Sequence, residues 1–200
     1  MNQIANAPST KELLWLGCRE KSCCYNSKVI ISGQDMWRIT QALELAPWDF
    51  TLYTEAVEGA VDAFQLVYSG PFYQVVLAKR GPVSSQGAPC VFLWKLADGH
   101  AQCGLGSLRP KVCLSYPAML VDDMLRVESS HCTCRRWSLV DLDAEHEVAL
   151  IEQVLAEAAE YSQIVATWNR GLTEANGERT YREFCSYVLN TYTYRYGANE

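Results

Sequence analysis

The chain has 200 residues, 49% of them apolar and 20% charged, with a net charge of −6 and a pI near 5.1. That composition is globular and excludes a disordered chain, and its acidity excludes long-range attraction to nucleic acid or to an anionic membrane. No run of about 18 apolar residues is present to span a bilayer, and nine cysteines are the main chemical feature.

The length suits one domain with its own core. The opening stretch, MNQIANAPSTKELLWLG, lacks the basic and apolar regions of a secretion leader, so a cytoplasmic, reducing location is expected. In that compartment clustered thiols point to metal or catalysis before disulfides. Disulfides remain the alternative, although an odd count of nine fits poorly with a fully paired framework.

Ser9 and Glu12 have capping-box spacing ahead of Leu13, Leu14 and Leu16, which predicts a short helix stopped by Gly17. Cys18, Cys23 and Cys24 follow, then a brief strand over 28–31. Ser32 reads as an N-cap with Asp35 three residues on, and Met36, Ile39 and Leu43 continue at helical spacing. Pro47 ends that helix and opens the next turn. Two strands are expected over 63–68 and 72–80, joined by the turn at Ser69-Gly70-Pro71, with Val75, Val76 and Leu77 in the core. Residues 81–89 read as a loop.

From Cys90 to Pro117 the chain is rich in turn formers and carries Cys90, Cys103 and Cys113. Asp122-Asp123 reads as a solvated turn and 125–127 as a strand leading to Cys132 and Cys134. Asp143 caps a long helix running to about Asn169, with Gly171 ending it. Thr180 and Glu183 open a last helix in which Phe184, Val188 and Tyr192 share a face. Cys185 lies inside that helix and is expected to be a packed core thiol; Tyr161 and Trp168 are likewise expected in the core.

Eight cysteines therefore fall in four clusters: Cys18, Cys23, Cys24, Cys90, Cys103, Cys113, Cys132 and Cys134. Thiolates bind soft or borderline metals, and four suffice for zinc or an iron–sulfur cluster. Cys132 and Cys134 would point to one face of an extended segment. Adjacent Cys23 and Cys24 would point to opposite faces of a strand, and could serve one metal only from a tight turn. No C-x-x-C pair or ferredoxin-type run fixes the metal. Lys95, Arg109, Lys111, Arg126, Arg135 and Arg136 lie within the same span and would offset thiolate charge, or else are solvated surface charges. His131 is either an extra ligand or exposed, and His100 faces water. Cys103-Gly104-Leu105-Gly106 lacks the rest of a nucleotide loop.

Cys-Val-Phe-Leu at 90–93, a cysteine at 103, and Arg-Pro-x-x-Cys-x-x-Tyr-Pro at 109–117 resemble the YkgJ-type cysteine-cluster family. That family is described as a zinc- or iron-chelating domain with a C-x-x-C-x-x-C-C signature; here the opening is Cys18, four residues, then Cys23-Cys24. The likeness runs from about Cys18 to Cys134 and includes Asp35 and Arg38. It extends distantly to flagellin lysine N-methylase, associated with an iron–sulfur centre, but no S-adenosylmethionine loop is recognisable here. It implies the eight cysteines as metal ligands, with Arg109 and Tyr116 as groups supporting the bound cofactor.

The expectation is thus one α+β domain over 1–200. A small cysteine-rich metal-binding core with short strands (about 18–137) packs against C-terminal helices (about 142–195). Its cofactor is an iron–sulfur cluster, the four-iron type favoured, or zinc or iron ions, in a centre active in redox or group transfer. The alternatives are a structural zinc module for protein–protein interaction and a metal-handling protein. The expected partner is a protein partner or protein substrate, not nucleic acid or a membrane. The residues leave open whether the chain is an enzyme.

Overall fold

The computed structural model describes residues 9–81, 87–128, 130–132 and 136–197. Helices and short antiparallel strands are mixed along the chain, which makes the fold α+β. Most of the expected 81–89 loop lies outside the described residues.

Helix α1 (Thr10–Gly17) begins where the Ser9 side chain accepts a hydrogen bond from the Glu12 N–H, as the capping pattern predicts. One turn, α2 (Cys23–Asn26), follows. Helix α3 (Gly33–Leu43) starts at Ser32, whose Oγ accepts from the Asp35 N–H at 3.0 Å. It stops at Glu44, whose φ of 55° is left-handed. Pro47 opens α4 (Pro47–Phe50), where its fixed φ suits the first turn.

Strand β1 (Thr51–Glu55) pairs antiparallel with β2 (Tyr73–Leu77), from Thr51 opposite Leu77 to Glu55 opposite Tyr73. The sequence places the partner of β2 at 63–68 instead, and there only Phe64 bridges to Tyr73. The C-terminal helices account for the difference. The Gln65 carbonyl accepts from Trp168 Nε1, the Leu66 carbonyl accepts from the Arg179 N–H, and Phe64 stacks on Phe184 with ring centroids 3.9 Å apart. With those groups committed, the segment cannot extend a ladder. The expected strand over 28–31 is similarly reduced to one bridge, Ile30 to Val76, before the chain turns into α3.

Two hairpins complete the strands: β3 (Leu93–Lys95) with β4 (Ala101–Cys103), and β5 (Ala118–Val121) with β6 (Met124–Val127). Asp122 and Asp123, both at positive φ, form the tight turn of the second. Helix α5 (Lys111–Ser115) lies between the hairpins. The Asp143 carboxylate caps the 27-residue α6 (Ala144–Arg170), which ends at Gly171. A reciprocal Thr180–Glu183 capping box starts α7 (Tyr181–Tyr196).

A single core unites the two parts of the chain. Ile31, Met36, Ile39, Phe64, Val75 and Phe92 pack with Tyr161, Ile164, Trp168, Phe184, Val188 and Tyr192, and Cys90 and Cys103 lie against them. Each such aliphatic or aromatic side chain contributes about 1.5–3 kcal/mol by leaving water. Cys185 is fully buried within this core, as expected of a packing thiol. Among the described residues no helix is long and apolar enough to cross a membrane.

Candidate metal centre

Five cysteines from four parts of the chain line one cavity of about 260 Å³: Cys23 and Cys24 on α2, Cys90 before β3, Cys103 on β4, and Cys113 on α5. Backbone pairing brings these segments together. The Cys90 N–H donates to the Cys24 carbonyl at 2.9 Å, Cys90 bridges Lys79, and Leu93 pairs with Cys103 across the hairpin. Cys113 is carried in by α5, whose first N–H, from Lys111, donates to Asp35 Oδ1 at 3.2 Å. Asp35 is also paired with Arg38, so both residues singled out beside the cysteines hold the mount of Cys113.

Cys23 and Cys24 sit on a helical turn, not a strand, and their thiols are hydrogen-bonded to each other. That bond favours the Cys23 thiolate, with its pKa lowered to about 7, and keeps Cys24 protonated. Burial pushes Cys90 up to about 11 and raises Cys103 and Cys113 as well. Each charged sulfur also disfavours the next, since Cys113 feels Cys90, Cys103 and Cys23. These sulfurs therefore cannot ionise together unless a cation lies among them.

Basic side chains surround the cavity. Lys21 is almost fully buried, and its Nζ donates to the carbonyls of Trp15 at 2.5 Å, Leu16 at 3.2 Å and Cys18 at 2.5 Å. It thereby closes the C-terminal end of α1, where a cation is favoured. Lys21 Nζ also lies 4.4 Å from the centre of the Trp15 ring, and the Arg109 guanidinium lies 4.0 Å from it. Arg109 is buried, with its Nε donating to the Gly106 carbonyl at 2.9 Å. Lys79 donates to the Tyr25 carbonyl and lies in electrostatic range of Cys90 and Cys24.

The other expected residues are placed differently. Arg109 and Tyr116 both belong to the cavity wall, as does His131, whose ring centroid is 6.4 Å from that of Tyr116. Cys132 follows His131 in sequence but is not a wall residue. Cys18 is disulfide-bonded, so it is not presented as a free thiol ligand. Cys134 and Arg135 lie outside the described residues. Lys95 sits over the Tyr25 ring, 5.6 Å from its centre, and Lys111 pairs with Glu157 at 2.6 Å. His100 binds Asp98 and Arg19 at the surface.

Among the described residues, no three His, Cys, Asp or Glu side chains stand ready to hold a metal ion as they are. The donor set still suits thiolate-binding metals, because five sulfurs share one cavity and cationic side chains flank it. Lys21, Lys79 and Trp15 were missed from the sequence, where each reads as an ordinary surface lysine or helix residue. No family model matches the chain, and neither does any curated protein or solved structure.

Proposed function

We propose that this protein binds an iron–sulfur cluster, or iron or zinc ions, through Cys23, Cys24, Cys90, Cys103 and Cys113, in a centre active in redox or group-transfer chemistry. The observation that carries the reading is the convergence of these five cysteines on one cavity. The same cysteines carry the resemblance to the YkgJ-type cluster family.

Bound metal would supply the positive charge that lets several buried thiols ionise together. Arg109, held on Trp15 and Gly106, would offset the residual negative charge. Loading would require the thiols to adjust around the centre. A folded protein that is metal-poor when aerated and takes up iron and sulfide on anaerobic reconstitution, with visible absorption, supports a cluster. Stoichiometric zinc without colour, and unfolding on chelation, would instead favour the structural zinc module. A colourless protein that folds fully and binds neither metal would refute both.

A further inference from the structure

A second cavity, of about 200 Å³, adjoins the first and shares Ile30 and Val112 with it. Three of its polar wall residues are more than nine-tenths buried: Asp35 is 3% exposed, Glu157 7% and Tyr161 1%. Asp62, Lys111 and Ser32 complete the polar lining, and Ile31, Val154 and Ala158 add apolar wall. The Tyr161 hydroxyl is buried without a hydrogen-bond partner and lies in electrostatic range of Asp62, another wall residue. A buried hydroxyl left unpaired costs about 1–3 kcal/mol, which calls for a partner.

The charges decide what kind of partner. Glu157 is offset by Lys111 at 2.6 Å, and it also accepts from Ser32 Oγ at 3.2 Å. Asp35 is offset by Arg38, and both hydrogen bonds it receives among the described residues fall on Oδ1, so Oδ2 remains available. Asp62 accepts from the neutral Gln74 amide at 2.7 Å and has no cation across from it among the described residues. The lining residues therefore sum to two negative charges, one of them offset by Arg38 outside the wall, and offer spare oxygen acceptors. A bare divalent cation is a poor fit, because the aliphatic walls offer it no ligands. At about 30 Å³ per water-sized group, the space takes on the order of six or seven heavy atoms.

We infer that this cavity binds a small primary alkylammonium, its N–H groups on Asp62 and Tyr161 and its hydrocarbon chain against Ile30, Ile31, Val112 and Val154. The site does not depend on the metal reading.

Titration calorimetry on the whole protein tests it with pentylammonium as the probe and pentan-1-ol and pentanoate as controls. Pentylammonium should bind one to one, pentanol at least about tenfold more weakly, and pentanoate not at all. Tyr161→Phe and Asp62→Asn should each weaken pentylammonium at least about tenfold, the loss expected for one hydrogen bond to a charged group. Both variants should keep the wild-type circular dichroism spectrum; Tyr161→Phe preserves the packed ring should Asp62→Asn fail to fold. No saturable binding of pentylammonium in the millimolar range, equal binding of pentanol, or undiminished binding by Tyr161→Phe would overturn the inference.

Discussion

Replacing Gly33 with alanine sets two effects of known size against each other. Gly33 is the first residue of α3, and its φ is not left-handed, so helix propensity alone favours alanine by up to about 1 kcal/mol. Packing opposes it. An added Cβ would lie 2.6 Å from Tyr192 Cε2, 2.7 Å from Tyr161 Cδ2 and 2.8 Å from Val188 Cγ1. Ordinary contact begins at 3.4 Å, so three side chains that are themselves buried must retreat by about 0.6 to 0.8 Å. Overpacking of this kind costs about 1–3 kcal/mol, and here three neighbours on two helices must move together. The upper end of that cost less the propensity gain leaves Gly33→Ala destabilised by about 2 kcal/mol in urea unfolding, with an unchanged m-value. A variant as stable as wild type, or more so, would refute the close seating of α3 on α6 and α7.

Other perturbations read the supports of the site. Lys11 pairs with the buried Glu147 at 2.5 Å and donates to the Leu114 carbonyl at 2.7 Å, tying α1 to α5 and α6. Lys11→Met leaves the Glu147 charge buried alone and should cost about 3–5 kcal/mol. The double variant with Glu147→Leu should recover much of that in a double-mutant cycle; no recovery would contradict the pairing. Burial, with Glu157 adding to it, holds the Asp35 carboxyl above its usual value of 3.8, although Arg38 and the Lys111 N–H pull the other way. A raised carboxyl favours folding below its unfolded value, and that contribution is lost as pH rises through the folded value. Wild-type stability relative to Asp35→Asn should thus fall as pH rises above about 3.8. Parallel stability–pH curves would count against a buried, shifted Asp35.

How much of this was legible in the sequence follows from the physics of each feature. Helix starts were readable because Ser9, Ser32, Asp143 and Thr180 act on N–H groups only three residues away. The β1–β2 pairing was not, because the strand-like run at 63–68 gives its backbone groups to Trp168 and Arg179, about a hundred residues onward. The thiols announced themselves by chemistry, and five of the eight clustered ones do share a cavity. Lys21 left no trace in the pattern, since a lysine before two cysteines looks solvated. Its burial depends on carbonyls presented by the end of α1. The second cavity was equally hidden: Tyr161 was expected in the core and is there, but its unpaired hydroxyl is a property of three-dimensional packing alone.

The most direct test of a thiolate-held centre is iron, sulfide and zinc content after anaerobic purification, compared among wild type, Cys113→Ser and Cys185→Ala. Cys113 lines the cysteine cavity, whereas Cys185 is a fully buried core thiol on α7. Wild type and Cys185→Ala should carry the same stoichiometric metal, and Cys113→Ser should lose most of it. Equal metal content in all three, or none in any, would contradict the proposed centre.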